Sequence, residues 1–320
     1  MKQFAGWDRA MTKIRRIDLA PVVLFAFNRP IHTKRTLEAL AENNLADRTR
    51  LIVYCDGPRD QCDADAVAAV CDIVREARGF LSVELRASAQ NKGLANSIIE
   101  GVSSICEEYG RVIVMEDDLV TSRAFLSFMN QALDRYEAEP GVWHVSGWNY
   151  PVPQDGLGDA FFLRVMNCWG WATWQDRWRH YRKDTDALIK SFTPSDIMKF
   201  SLNGAGDFWK QVELNASGQI NTWAIYWYAT IFKNNGLCLN PAASYVLNIG
   251  HDGSGTHGSN SKGTYDSLLC EKHEVNMPVS INESPLAIHR IAEFLNALKP
   301  TLMQRVRGKI VRSLKSMIAP

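Results

Sequence analysis

GRVIVMEDDLVTS, residues Gly110 to Ser122, decides how the chain is read. Val112 to Met115 favour a strand and run straight into Glu116-Asp117-Asp118. A continuous apolar run of this kind suits a strand covered on both faces, as in a parallel sheet. Three adjacent carboxylates at its end repel one another, and two readings accommodate them. A hard ion such as Mg²⁺ or Mn²⁺ takes oxygen ligands from one or two carboxylates and completes its shell on substrate phosphates. Alternatively the triplet is a solvated turn that caps the next helix, since Asp117, Asp118, Thr121 and Ser122 all suit helix N-termini.

Working outward, strands and helices alternate. PVVLFAF (21–27) is another continuous apolar run, followed by the helical spacing of IHTKRTLEALAENN, with Leu37, Leu40 and Ala41 on one side. RLIVYCDG (50–57), helical DAVAAVCDIVREARG (65–79), LSVELRAS (81–88) and helical GLANSIIEGVSSICEEYG (93–110) come next. Repeated βα units predict an α/β fold with a mostly parallel sheet and helices on both faces. Such sheets bind ligands at the C-terminal ends of their strands. Asn28, Asp56 and the carboxylate triplet all fall on that edge.

Composition narrows the classes. The 320 residues suffice for a sizeable core, and 46% hydrophobic with 22% charged residues is ordinary for a globular chain. A net charge of +1 implies no overall attraction to nucleic acid or membrane, so any basic patch must be local. Seven cysteines, an odd number without paired CxxC, fit free thiols in a reducing cytoplasm better than a disulfide framework or structural zinc. The apolar LAPVVLFAF is too short to span a membrane, and Asn28-Arg29-Pro30 ends it where a cleavable signal needs small residues.

No GxGxxG follows the first strand and no GxxxxGK[ST] occurs, which argues against a dinucleotide site and a P-loop. The first strand ends instead in FNRPIHTKRT, placing Arg29, Lys34 and Arg35 near a helix start. Those groups can hold a nucleoside diphosphate; they also suit a solvated first turn.

On these residues the chain resembles glycosyltransferases of the GT-A fold. It is similar to the eukaryotic N-acetylglucosaminyltransferase that starts complex N-glycans and to bacterial glycosyltransferase-2-like enzymes. The resemblance runs in order from about Pro21 to about Asn260, through VVLFAFNRPIHTKRTLEAL, LIVYCDG, VIVMEDDLVTSRAFLSFM, VWHVSGWNY, CWGWATW and CLNPAASYVLNIGHDGSGTHG. It implies a metal-dependent transferase acting on a nucleoside-diphosphate sugar, most simply a UDP-sugar. Asp118 would hold Mn²⁺ or Mg²⁺, Asp117 would contact the ribose and Asp56 the base. Glu116 would orient the site or touch the sugar. Asn28, Arg29, Asn91 and Lys92 complete the expected donor set, and the hexosyl or N-acetylhexosaminyl group would pass to a glycan or lipid-linked glycan acceptor in bacterial surface polysaccharide synthesis.

The second half reads as the acceptor side. Nine of ten tryptophans lie between Trp143 and Trp227. Aromatic faces pack on sugars, although large aromatics also build cores. Trp148, Trp169 and Trp171 are the candidate acceptor wall, and at least one or two of Trp169, Trp171 and Trp174 are expected to be partly exposed. An inverting transferase needs a carboxylate base. At the position where the resemblance places an aspartate, QINTWAIYW offers Asn221 or Thr222. Asp252, Asp207 or a retaining route remain open. His251 and His257 in GHDGSGTH are either ligands, of the metal or the diphosphate, or structural.

The domain is expected to span 1–275, with a nucleotide-binding half (1–120) and an acceptor-binding half (121–275), followed by a basic amphipathic tail at 284–320. There Leu302, Val306, Ile310, Leu314 and Ile318 recur every four residues opposite Arg305, Lys309, Arg312 and Lys315. Such a helix suits either a membrane surface or a docked face. Together these features place the protein in the cytoplasm, with peripheral contact at the inner membrane face through the tail. Two rivals stand: a sugar-phosphate nucleotidyltransferase, whose Gly-rich loop after the first strand is missing here, and a catalytically degenerate glycan-binding protein, which Asn221 keeps open.

Overall fold

The computed structural model describes residues 19–253 and 263–299. The expected βα alternation is present: β1 (Val22–Ala26), α1 (Pro30–Ala41), β2 (Arg50–Cys55), α2 (Gln61–Glu76), β3 (Ser82–Ala87), α3 (Leu94–Tyr109) and β4 (Arg111–Glu116). The helices differ from the sequence reading at their ends. The Asp60 carboxylate accepts from the Cys62 N–H, so α2 starts four residues before the expected Asp65. The amide of Glu42 folds back on Glu38, and α1 stops before Asn43 and Asn44.

β5 (Leu119–Thr121) follows the carboxylates at once, and α4 begins only at Phe125 (Phe125–Tyr136). Its N-cap is Ala124, with no side-chain cap bond. The acidic triplet therefore does not cap a helix, and that reading of it fails. β6 (Val142–Ser146), β7 (Ala160–Leu163), β8 (Trp171–Trp174) and α5 (Gln175–Trp178) come next. α6 (Thr185–Ser191), α7 (Pro194–Phe200), α8 (Phe208–Ala216) and α9 (Ala224–Lys233) form a helical run. β9 (Leu237–Pro241), β10 (Val246–Asn248) and α10 (Pro285–Leu298) close the described chain.

Eight strands form one sheet in the order β3-β2-β1-β4-β8-β6-β9-β7. The pairs β3–β2, β2–β1, β1–β4 and β6–β9 are parallel, while β8 and β7 run antiparallel to their neighbours. Both halves of the chain thus share a sheet, giving the mostly parallel α/β architecture expected. β5 and β10 form a separate antiparallel pair that ties the segment after the carboxylates to the segment before Gly250.

Strand alternation sends side chains into two cores. Val23, Phe25, Val112 and Val114 pack with α3 and α9, whereas Val22, Leu24, Ile113 and Met115 pack with α1, α2 and α4. Arg177 is buried at the join: Nη2 donates to Glu137 O at 2.7 Å and Glu139 O at 3.1 Å, satisfying carbonyls at the end of α4.

α10 packs on the domain, with Ala287 and Ile291 fully buried and Arg290 bonded to the carbonyls of Pro153 and Asp155. The first part of the 284–320 segment is thus a docked helix. The stripe from Leu302 to Ile318 and its basic arc lie outside the described residues. No helix among the described residues is long and apolar enough to cross a membrane.

Candidate active site

A cavity of about 750 Å³ opens at the C-terminal ends of β1, β2 and β4. β1 delivers Phe27, Asn28 and Arg29, β2 delivers Asp56, and β4 delivers Glu116, Asp117 and Asp118 to its wall. Trp169, Gln219 to Asn221, Asn248, Gly250 and His251 face them. The volume suits a nucleotide-sized ligand.

The three carboxylates occupy different settings. Asp117 is buried; its Oδ2 accepts from the Phe27 N–H at 3.2 Å, and its carbonyl accepts from the Thr36 hydroxyl at 2.8 Å. Burial, then the neighbouring Asp118 charge, push Asp117 up to about 7 against the pull of Arg29. Glu116 is half-buried at the strand end, and burial followed by the charges of Asp118 and Asp117 raises it to about 8. Asp118 accepts from Arg29 Nη1 at 2.9 Å, and the same nitrogen lies 4.0 Å from Asp117. One guanidinium thus faces three carboxylates. Burial is the first cause of both raised values, and the repulsion between the neighbouring carboxylates adds to it.

A divalent cation would relieve that repulsion. Among the described residues, however, no three His, Cys, Asp or Glu side chains converge as a cage. His251 packs edge-on against Trp169, ring centroids 5.3 Å apart, and is not assembled with Asp118 into such a set. The donor set fits a hard ion held by one or two carboxylates and completed by a diphosphate and water.

Gly250 closes against Asp118. The amide of Ile249 donates to the Asp118 carbonyl at 2.8 Å, and a Cβ on Gly250 would stand 2.0 Å from Asp118 Oδ2. Only a residue without a side chain lets the backbone lie there.

Asp56 is committed to the backbone. Oδ1 accepts from the amides of Gly57 at 2.9 Å and Lys92 at 2.8 Å, and Oδ2 from Gly93 at 2.9 Å. Asn91 joins the same knot by donating to Gly57 O at 2.8 Å. Both therefore shape the loop that ends the cavity, with one acceptor position left on Asp56 Oδ2. The Lys92 side chain pairs with Glu100 at 2.7 Å and lies off the main cavity wall. Asn28 donates to Asp63, which also holds Arg59, and that guanidinium lies over the Phe27 ring at 5.1 Å.

Of Trp148, Trp169, Trp171 and Trp174, Trp169 alone is partly exposed. Trp169 is half-buried and lines the cavity. Trp171 is fully buried, stacked 5.3 Å from His144 and 5.1 Å from Trp223, and is a core residue rather than an acceptor wall. β8 lies inside the sheet between β4 and β6, with Trp171 in one core and Trp174, also buried, in the other. Trp148 is buried too, and braces Trp169 from behind at 4.6 Å.

Asn221 is exposed on the cavity rim and accepts from Lys183 Nζ. Asp252 is not on the cavity wall. Its carboxylate meets His32 Nε2 at 3.1 Å and Arg29 Nη2 at 3.7 Å, so two groups beside α1 hold it. Asp207 sits at the N-cap of α8, also off the wall. His257 lies outside the described residues. His32, Lys183 and Gly250 take part although nothing in their local sequence marks them, because their partners are 38 to 220 residues away.

Solved structures that resemble the chain in part include the following two. The crystal structure of S. aureus TarS is 11% identical with a TM-score of 0.42, over 73% of this chain and 37% of that one. This chain therefore spans little more than a third of TarS. Mannosyltransferase PcManGT from Pyrobaculum calidifontis, in complex with GDP-Man and Mn²⁺, is 11% identical with a TM-score of 0.37, over 67% of this chain and 72% of that one. No family model matches the chain. No curated protein matches it either.

Proposed function

We propose that the protein is a metal-dependent GT-A glycosyltransferase that takes its sugar from a nucleoside-diphosphate donor, a UDP-sugar in the simplest case, and passes it to a glycan or lipid-linked glycan. The observation that carries this is the crowded carboxylate cluster, Glu116 to Asp118, in a nucleotide-sized cavity at the C-terminal edge of parallel strands. Asp118 would hold Mn²⁺ or Mg²⁺ against the diphosphate. The ion would offset the negative charge that builds on the diphosphate as the anomeric C–O bond breaks.

The chain's own groups then divide the work. Arg29 holds Asp118 and adds positive charge near the diphosphate. Asp56 fixes the loop that receives the base and offers its remaining Oδ2 position to a base N–H. Asp117 serves the ribose, Glu116 orients the sugar, and Trp169 gives the sugar or acceptor an apolar face. The nucleotide half (1–120) and acceptor half (121–275) of the domain correspond to these roles. Surface polysaccharide synthesis at the inner membrane face, with peripheral contact through 301–320, belongs to the same proposal.

The test is calorimetry of UDP binding with and without Mn²⁺. Asp118→Ala should abolish the Mn²⁺-dependent part and leave the fold intact. Unchanged UDP affinity with Mn²⁺ in that variant would remove the metal assignment.

A further inference from the structure

Arg59 is fixed on the cavity wall with hydrogen-bond donors to spare. It follows Asp56 at the end of β2, with only Gly57 and Pro58 between them. Its Nε donates to Asp63 Oδ2 at 2.7 Å and its Nη2 to Asp63 Oδ1 at 3.1 Å. Asp63 is buried in the first turn of α2 and also accepts from Asn28 Nδ2, just past the end of β1. The Phe27 ring lies under the guanidinium, its centre 5.1 Å away. An ordinary surface ion pair costs side-chain entropy to hold in one geometry. Here a carboxylate along one edge and a ring on one face set the plane of the guanidinium.

A guanidinium carries five N–H groups, and Asp63 takes one from Nε and one from Nη2. No described residue accepts from Nη1. The side chain is 55% exposed, and both Arg59 and Phe27 line the cavity. β1 stands between β2 and β4 in the sheet, so Asp56 and Arg59, which follow β2, lie across β1 from Asp118, which follows β4. The free donor therefore shares its end of the cavity with the acceptor position that Asp56 Oδ2 keeps open.

We propose that Arg59 selects the base of the donor: Nη1 donates to a ring carbonyl while Asp56 accepts the adjoining N–H, so that keto bases such as uracil are taken over amino bases such as cytosine. The inference rests on the transferase reading, which puts the base beside Asp56. Uracil, thymine and guanine present a carbonyl next to a ring N–H, the complement of this pair. Cytosine in the same seat turns its amine to Arg59 and a bare ring nitrogen to the carboxylate, so both protein groups lose their partners. Asp56 by itself discriminates poorly, because an amine also donates to a carboxylate.

The test is calorimetry of the full chain with Mn²⁺ and three nucleotides: UDP, CDP and 4-thio-UDP, in which sulfur, a weak acceptor, replaces O4 and the N3–H remains. UDP should bind about tenfold or more tightly than either, the scale of one hydrogen bond to a charged group. Arg59→Met keeps the reach of the side chain and removes its donors. It should bind UDP and 4-thio-UDP equally and lose about tenfold of the preference for UDP over CDP, with its circular dichroism spectrum unchanged. Equal affinity of the wild-type chain for UDP and 4-thio-UDP overturns the inference whatever becomes of the variant, as does equal affinity for UDP and CDP. A penalty for 4-thio-UDP that persists in Arg59→Met overturns it too, because another group then reads O4. Binding of neither UDP nor CDP overturns the inference and the transferase reading together. A preference that depends on Arg59 but not on Mn²⁺ upholds the inference and counts against the metal-dependent transferase reading alone.

Discussion

Gly250→Ala separates the site from the fold. The added methyl would meet Asp118 Oδ2 at 2.0 Å and Arg29 Nη1 at 3.1 Å. Ordinary contacts with a carbon begin well above 3 Å, so one group must move by at least about 1 Å. The backbone cannot retreat easily, because Ile249 N is bonded to Asp118 O at 2.8 Å and Gly250 N to Asn248 Oδ1 at 2.7 Å. The Asp118 carboxylate must therefore turn, and its 2.9 Å bond to Arg29 breaks. Overpacking of this kind typically costs about 1–3 kcal/mol, so the protein is expected to stay folded. A carboxylate displaced by about 1 Å is far costlier to function, on the order of a hundredfold in turnover. The assay is calorimetry with UDP and Mn²⁺ beside a thermal melt. Gly141→Ala, whose Cβ meets only Ile281 at 3.5 Å, is the control and should change neither. UDP affinity of Gly250→Ala within about twofold of wild type, against the hundredfold scale of such displacements, would refute the placement of Asp118 at the ligand.

Trp171→Ala should destabilise the fold by about 3–5 kcal/mol in chemical denaturation, while Trp169→Ala should leave stability nearly unchanged and weaken sugar binding. His144 donates from Nε2 to Asn167 O at 2.9 Å and accepts from Trp227 Nε1 at 3.2 Å, and burial lowers it to about 3. Its folded value lies below its unfolded value of about 6.5, so its contribution is complete above that pH and is lost as pH falls. Stability measured from pH 6.5 to 5 should drop by up to about 1.4 kcal/mol per pH unit from this group, and His144→Gln should flatten that slope. Glu116 has the opposite sign: raised to about 8, it favours the fold below its unfolded value and loses that contribution as pH rises. Glu116→Gln should therefore raise stability at pH 8 to 9 without metal, by a few kcal/mol at most, and an unchanged thermal melt would reject the burial argument.

The strand–helix alternation and the ligand edge were readable in one dimension because they depend on local order. Apolar runs such as Val22–Ala26 and Val112–Met115 can be satisfied only by covering both faces, and a carboxylate that follows such a strand lands at its end wherever the strand sits. The donor edge from Asn28 through Asp56 to Asp118 follows from that geometry. The roles of Trp148 and Trp171 did not follow, because a tryptophan's exposure depends on which strands flank it. β8 pairs between β4 and β6 through contacts up to 63 residues apart, and this places Trp171 inside. The resemblance gives Asp56 a contact with the base, and the fold shows its carboxylate largely used by amides of a loop more than 30 residues away. The partners of Asp252 and Asn221 were equally hidden. His32 and Lys183 reach them only after α1 and the segment behind α5 have packed, and charge pairing over such separations leaves no periodic trace in sequence. Strand–helix alternation and ligand edge were thus properties of local pattern, whereas which side chain faces the cavity, and with what charge beside it, was settled by long-range packing.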